Sequence, residues 1–137
     1  MRFRRPYAED AVTAFLAVVL LNALAVPAHA QSREVIGYAG VLGEWEVTAT
    51  VRESASRRPQ EFSGPLTMKH VGVCTQDGPE EKTGELRLQI SESLARISAT
   101  LSVDGIECSY TGRLSDSYTG VMSCPDRAAV PLKLWVK

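Results

Sequence analysis

The stretch ISATLSVDGIECSYTGRLSDSYTGVMSC, residues 97–124, alternates apolar and polar side chains over three successive runs. Alternation with a period of two is typical of strands that bury only one face. Asp104-Gly105 separates the first two runs, and this dipeptide is a strong signal for a two-residue hairpin turn. Ser115-Asp116-Ser117 separates the second run from the third. The stretch is therefore predicted to be a three-stranded antiparallel meander.

Strand-like segments also occur on both sides of this meander. They are residues 44–52, 62–74, 84–90 and 130–136. The segment 62–74 is irregular, so the chain is predicted to have seven strands, or eight if that segment breaks in two. Residues 31–42 show no clear period and are interpreted as an arm or a short turn of helix leading into the fold.

The connections between these strands are mostly short. Short connections place sequence neighbours side by side in a sheet, and closing the sheet removes its exposed edges. The sequence therefore favours an all-β fold, an antiparallel up-and-down meander of seven or eight strands closed into a small barrel. A β-sandwich and an open sheet are the alternatives.

The first thirty residues differ in composition from the rest. Arginines at the start precede an apolar run at positions 11–26, and the small-x-small sequence Ala28-His29-Ala30 follows. This order is typical of a secretory signal peptide, and the run is shorter than the ~20 residues of a spanning helix. We expect cleavage after Ala30, a periplasmic or secreted location, a single domain over 31–137 and no stable membrane anchor after cleavage.

The charge of the chain is nearly balanced. It contains 15 Lys and Arg against 16 Asp and Glu, a net charge of −1. Nucleic acids and anionic membrane surfaces attract clustered positive charge, and the sequence has one local basic pair in the domain, Arg57-Arg58. Nucleic acid is therefore not an expected partner.

Three cysteines, Cys74, Cys108 and Cys124, remain after residue 30. If the second hairpin of the meander is centred on Asp116, Cys108 and Cys124 form a non-hydrogen-bonded pair with Cα atoms ~4.5 Å apart. A disulfide can span that distance. The sequence predicts a Cys108–Cys124 disulfide and leaves Cys74 as a buried free thiol or as the thiol of an intermolecular disulfide.

Few residues of the domain carry the patterns of catalytic or metal chemistry. His70 is its only histidine, and Cys74 lies ~13 Å further along the predicted strand, too far to share a metal with it. Asp77, Glu80 and Glu81 lie on a predicted loop, with a spacing unlike that of an EF-hand. The sequence predicts no catalytic, metal or cofactor site and favours a protein that is not an enzyme.

Two glycines of the meander suggest a gap in the interior. Gly112 and Gly120 are expected opposite each other on the inner face. The residues that bound the gap are Tyr110, Tyr118 and Met122. Small eight-stranded barrels either fill their interior with side chains or hold one small ligand. Filling by Trp45, Phe62 or Met68 is the simpler interpretation, and an open gap would suit a small apolar or aromatic ligand.

The sequence Gly43-Glu44-Trp45 at the head of the first predicted strand resembles the G-x-W motif of the calycin superfamily. This superfamily includes lipocalins, avidins and small periplasmic inhibitors of bacterial alkaline metalloproteases. In lipocalins the tryptophan closes one barrel end and an arginine from a late strand stacks over it. The resemblance, which covers three residues, implies that role for Trp45 and the arginine's role for Arg113 or Arg127.

Two functions follow as hypotheses. One is a protein-binding module, an inhibitor or an envelope assembly partner, which acts through its loops or the arm at 31–42, in the style of the calycin protease inhibitors. The other is a lipocalin-like protein that binds a small apolar ligand in the barrel mouth. The short chain leaves little space inside a barrel, so the sequence favours the first.

Overall fold

A computed structural model describes residues 31–54, 60–72 and 78–137. The strands in these ranges are β1 (Ser32–Ala39), β2 (Trp45–Glu53), β3 (Gln60–His70), β4 (Glu81–Ser91), β5 (Arg96–Val103), β6 (Ile106–Leu114), β7 (Tyr118–Ser123) and β8 (Val130–Val136). Each strand pairs with the next in antiparallel order and β1 pairs with β8, which closes a barrel. The predicted up-and-down barrel is confirmed.

Some sequence predictions fall on residues outside the described ranges. The signal peptide at 1–30 and the state of Cys74 are two of them, and both stay predictions. Within the described ranges, no helix is long and apolar enough to cross a membrane.

The meander has the predicted register. Val103 pairs with Ile106 across the turn, and Gly112 pairs with Gly120 in the next hairpin. Asp104 and Gly105 have φ angles of 50° and 75°, as a two-residue hairpin turn with both central residues in the left-handed region requires. Local sequence signals therefore set the pairing of β5, β6 and β7.

The interpretation of residues 31–42 as an arm or a helical turn is wrong. Residues 32–39 form β1, which lies between β2 and β8. Its buried positions carry the small residues Val35, Gly37 and Ala39, whereas Ile36 and Tyr38 are more exposed. Because the larger apolar side chains lie on the outer face, the sequence shows no inward alternation there.

The eighth strand is thus β1 and does not come from a break in the segment 62–74. β3 runs without interruption from Gln60 to His70. It pairs with β4 from Gln60 to Lys69 and with β2 on both sides of Gly64-Pro65. The predicted alternative of eight strands is therefore correct in number, but the additional strand is β1.

Inward side chains fill the middle of the barrel. The largest fully buried ones are Phe62, Leu66, Leu86, Leu88, Ile97, Leu101, Leu132 and Leu134. Burial of each such side chain stabilises the fold by ~1.5–3 kcal/mol. We call the two ends of the barrel the Trp45 end, which carries residues 40–44, 104–105 and 124–129, and the Phe62 end, which carries residues 92–95 and 115–117.

Candidate functional site

An apolar cavity of about 220 Å³ lies at the Trp45 end. Its apolar lining side chains are Ala39, Trp45, Met68, Leu101, Val103, Ile106, Met122, Ala128 and Val130. A cavity of ~150 Å³ is large enough for benzene, whereas sites for drug-sized ligands measure ~300–1,000 Å³. The space therefore suits one aromatic ring system or one large apolar side chain.

The Cys108–Cys124 disulfide forms part of the cavity wall. Its two Cα atoms are 4.3 Å apart, close to the separation expected for a non-hydrogen-bonded pair. The predicted disulfide is confirmed. It joins the beginning of β6 to the residue that follows β7, so it fixes the wall on one side of the cavity.

Trp45 lies half-buried at the mouth of the cavity, where two other side chains hold its ring. The His70 ring lies at a tilt with its centroid 4.6 Å from that of Trp45. Lys82 Nζ lies 5.4 Å from the Trp45 ring centroid, within the range of a cation–π contact. The Glu80 carboxylate is 3.6 Å from the same ammonium.

The cation over Trp45 is therefore a lysine from β4, where the resemblance implied Arg113 or Arg127. Arg113 is exposed on the outer face of β6 and cannot reach the ring. Arg127 lines the same cavity. Spacing along the chain did not indicate Lys82, because β3 lies between β2 and β4 and the loop between β3 and β4 gave no register for the two strands.

A tight turn before Trp45 presents two apolar side chains to solvent. Gly43 N–H donates to the Gly40 carbonyl at 3.2 Å, and the Glu44 carboxylate accepts from Leu42 N–H at 2.9 Å. Val41 is 80% exposed and Leu42 91% exposed. The turn is held by its own hydrogen bonds, so this exposure is built into the structure.

Four exposed apolar side chains surround the Trp45 end. We call them the apolar rim: Val41, Leu42, Val71 and Ile106. Val71 is held beside the turn because its N–H donates to the Glu44 carbonyl at 2.7 Å. Single exposed apolar residues are ordinary, but several around one cavity are typical of an interaction site.

Tyr110 fills the gap that the sequence analysis placed between Gly112 and Gly120. A Cβ atom on Gly112 would meet the Tyr110 hydroxyl, and that hydroxyl donates to the Tyr118 carbonyl at 3.0 Å. Of the residues proposed as fillers, Trp45 and Met68 line the cavity at the Trp45 end, and Phe62 is buried in the core. Of the five residues assigned to the gap, Met122 alone lines the cavity at the Trp45 end.

Burial also affects the ionisation of Tyr110. Its side chain is almost fully buried, and loss of solvation raises the pKa of the phenol to about 12. The hydroxyl therefore stays protonated, and able to donate its hydrogen bond, to a higher pH than the hydroxyl of an exposed tyrosine. This residue is part of the barrel's packing and lies apart from the cavity.

The site at the Trp45 end consists of the apolar rim, which can contact another molecule, and the apolar cavity. Within the described ranges, no three His, Cys, Asp or Glu side chains lie close enough to hold a metal ion together. The charged residues at the edge of the cavity are Glu44, Lys82, Asp104 and Arg127. Sequence reasoning missed Val41 and Leu42, although two apolar residues enclosed by glycines in a turn are a signal of exposure.

Comparison with protein-family models, with curated proteins and with solved structures gave no match. The fold and the site define a class: a closed, eight-stranded, antiparallel up-and-down barrel with a small apolar cavity at one end. This architecture is consistent with a calycin-like fold, as the resemblance at Gly43-Glu44-Trp45 implied.

Proposed function

We propose that this protein is a non-enzymatic binding module of the periplasm or the extracellular space, which holds a partner protein at its Trp45 end. The observation that carries the proposal is the cavity of about 220 Å³ surrounded by the apolar rim. One aromatic or branched side chain of the partner would enter the cavity, and the rim would exclude water around it.

This arrangement has the features of a binding hot spot. Most of the binding energy in protein interfaces comes from a few anchor residues in desolvated pockets, surrounded by contacts that keep water out. Glu44, Asp104 and Arg127 lie at the outer edge of the cavity, where a polar border is usual. The loops of the Trp45 end, and not an N-terminal arm, form the proposed surface, because residues 32–39 are a barrel strand.

Two observations support the proposed periplasmic or extracellular location. The Cys108–Cys124 disulfide fits an oxidising environment. The composition of residues 1–30 is that of a cleavable secretory leader. A calycin-like relationship belongs to the same proposal, supported by the closed barrel and by the position of Trp45 at one end of it.

A small apolar ligand is the second candidate, and the lining of the cavity favours it. Met68, Leu101 and Met122 offer apolar contacts, and Trp45 adds an aromatic face. The volume limits such a ligand to about one or two rings. Indole is a suitable probe of this alternative.

The test compares two leucines with high exposure at opposite ends of the barrel. Leu42 is 91% exposed at the Trp45 end, and Leu94 is 67% exposed in the turn after β4 at the Phe62 end. Wild type, Leu42→Asp and Leu94→Asp are used to capture proteins from envelope extract, with quantitative mass spectrometry. A partner is expected with wild type and Leu94→Asp, and its recovery should fall at least tenfold with Leu42→Asp.

Equal capture by the two variants would contradict the proposal. A purified partner should then show the same dependence in a binding isotherm. Indole titrated into the isolated protein separates the second candidate: saturable shifts of the Met68 and Met122 methyl resonances, together with no partner that depends on Leu42, would favour the small-ligand function.

A further inference from the structure

A second concave surface lies on the outer wall of the barrel, away from the Trp45 cavity. It is a groove of about 540 Å³ over β6 and β7, extending to the beginning of β5. Its side-chain lining is Arg96, Ser109, Thr111, Arg113, Thr119, Val121 and Ser123. We call it the arginine groove.

A pair of glycines lies within this surface. Gly112 and Gly120 lie opposite each other and contribute to the lining of the groove. A Cβ atom on Gly120 would meet the Thr111 carbonyl oxygen, so the two strands approach more closely than side chains would allow. Glycine in a strand commonly marks a site where another backbone approaches closely.

Two arginines lie side by side at one end of the groove. Arg96 and Arg113 are cross-strand partners in β5 and β6. The neighbouring residues Ala95 and Leu114 are joined by a backbone hydrogen bond of 2.8 Å. Since hydrogen-bonded and non-hydrogen-bonded pairs alternate, the arginines form a non-hydrogen-bonded pair, with Cα atoms ~4.5 Å apart.

This pair is unfavourable without an anion. Like charges directly opposite each other on neighbouring strands destabilise a sheet. The ion pairs among the described residues join Lys82 to Glu80 and Arg87 to Glu85, so no described carboxylate forms an ion pair with Arg96 or Arg113. Both side chains are exposed on the outer face.

The rest of the groove is rich in hydroxyl groups. Ser109, Thr111, Thr119 and Ser123 each carry a side-chain oxygen that can donate and accept a hydrogen bond. Guanidinium groups bind phosphate through two parallel N–H donors. A ligand that presents a phosphate beside several hydroxyl groups matches both parts of the lining.

We propose that the arginine groove binds a phosphorylated saccharide, with the phosphate between Arg96 and Arg113 and the sugar hydroxyls toward the serine and threonine side chains. This site is independent of the proposed partner-binding function, because it shares no lining residue with the Trp45 cavity. The ligand can be soluble or can be the head of a membrane glycolipid, since both present the same chemistry.

The test is a titration followed by backbone amide NMR. Glucose 6-phosphate is expected to shift the resonances of Thr111, Arg113 and Thr119 with saturation, and glucose alone is not. Arg113→Gln and Arg96→Gln should each weaken the affinity at least tenfold. Arg52→Gln removes the same charge from an exposed position on β2 and should leave the affinity within twofold of wild type.

Vesicles that carry lipid A, a phosphorylated glycolipid, test the membrane-borne source. Binding to these vesicles or to glucose 6-phosphate, lost in Arg113→Gln, supports the proposal, and the arm that responds identifies the source. The proposal is overturned if neither probe binds, if inorganic phosphate binds as tightly as glucose 6-phosphate, or if Arg52→Gln weakens binding as much as Arg113→Gln.

Discussion

The Tyr110 ring closes the space beside Gly112 in the barrel interior, and its hydroxyl donates to the Tyr118 carbonyl. The sequence indicates two facing glycines on the inner surface, and the structure confirms that pairing. The sequence gives no sign that the Tyr110 ring covers Gly112 or that the Tyr110 hydroxyl reaches the Tyr118 carbonyl. The direction of one side chain thus decides that the space at the glycine pair is closed.

The same residue predicts how stability depends on pH. Burial raises the pKa of Tyr110 to about 12, above the value of about 10 for an unfolded chain. The stabilisation that the neutral Tyr110 gives the folded state is fully present below about pH 10 and is lost as the pH rises through about 12. The free energy of unfolding should fall by about 2 kcal/mol by pH 12. Urea unfolding at several pH values should show this loss in wild type and not in Tyr110→Phe.

Tyr110→Phe also serves as the control for the hydrogen bond. At pH 8 it should be less stable than wild type by ~1 kcal/mol, because the donor to the Tyr118 carbonyl is removed. Parallel stability curves of the two proteins from pH 8 to 12 would contradict the assignment of the alkaline loss to Tyr110.

Gly120 supports a second prediction at the scale of one residue. Gly120→Ala would place a methyl group against the Thr111 carbonyl oxygen of β6. Backbone cannot move away as easily as a side chain, so we expect destabilisation of ~1–3 kcal/mol. Thermal unfolding measures this destabilisation. The control is Ser123→Ala at an exposed position, which should lie within ~0.5 kcal/mol of wild type in stability. Equal melting temperatures for the two variants would contradict the prediction.

At the scale of elements, β1 shows where the alternation pattern fails. Its pairs with β2 and β8 close the barrel. The buried face of β1 carries Gly37 and Ala39, and its outer face carries Tyr38. The Tyr38 ring packs edge-on against Trp135, with 6.2 Å between the ring centroids. Hydrophobicity alone therefore gives the wrong face. Strands β5 to β7 were predictable because most of their larger apolar residues point inward and their turns are specific.

Deletion of residues 31–39 tests the role of β1. An arm could be removed without effect, whereas loss of a strand between β2 and β8 exposes two sheet edges and part of the core. We expect the truncated protein to lose its cooperative thermal transition and to aggregate, as judged by circular dichroism and size-exclusion chromatography. A folded, monomeric truncated protein would show that the barrel does not depend on β1.

The β6–β7 hairpin carries a prediction about the disulfide. The bonded cysteines are separated by 16 positions, and closing a loop of that size stabilises a fold by ~3 kcal/mol in the entropic model. Cys108→Ala/Cys124→Ala should lower the free energy of unfolding by about that amount, and Cys74→Ala, the control, should keep the bond. A peptide map with Cys74 bonded to either partner would contradict the pairing.

At the scale of the whole molecule, the signal peptide predicted at residues 1–30 can be tested by its processing. Residues 1–30 have the composition of a cleavable signal, and we expect the exported protein to begin at Gln31. Intact mass and N-terminal peptide analysis of the periplasmic fraction would detect this end. Ser32, the next residue, begins β1, so cleavage several residues further on would remove part of a barrel strand and would contradict the assigned site.

The sequence alone determined the strands of the meander, the registers across Asp104-Gly105 and around Asp116, and hence the Cys108–Cys124 disulfide. These features depend on residues close together in the chain, whose alternation and turn preferences act locally. Only the tertiary structure decided that β1 closes the barrel, that Lys82 lies over Trp45 and that the cavity opens at the Trp45 end. Those features depend on side chains that meet only when distant strands are brought around a common interior, and no local pattern specifies that meeting.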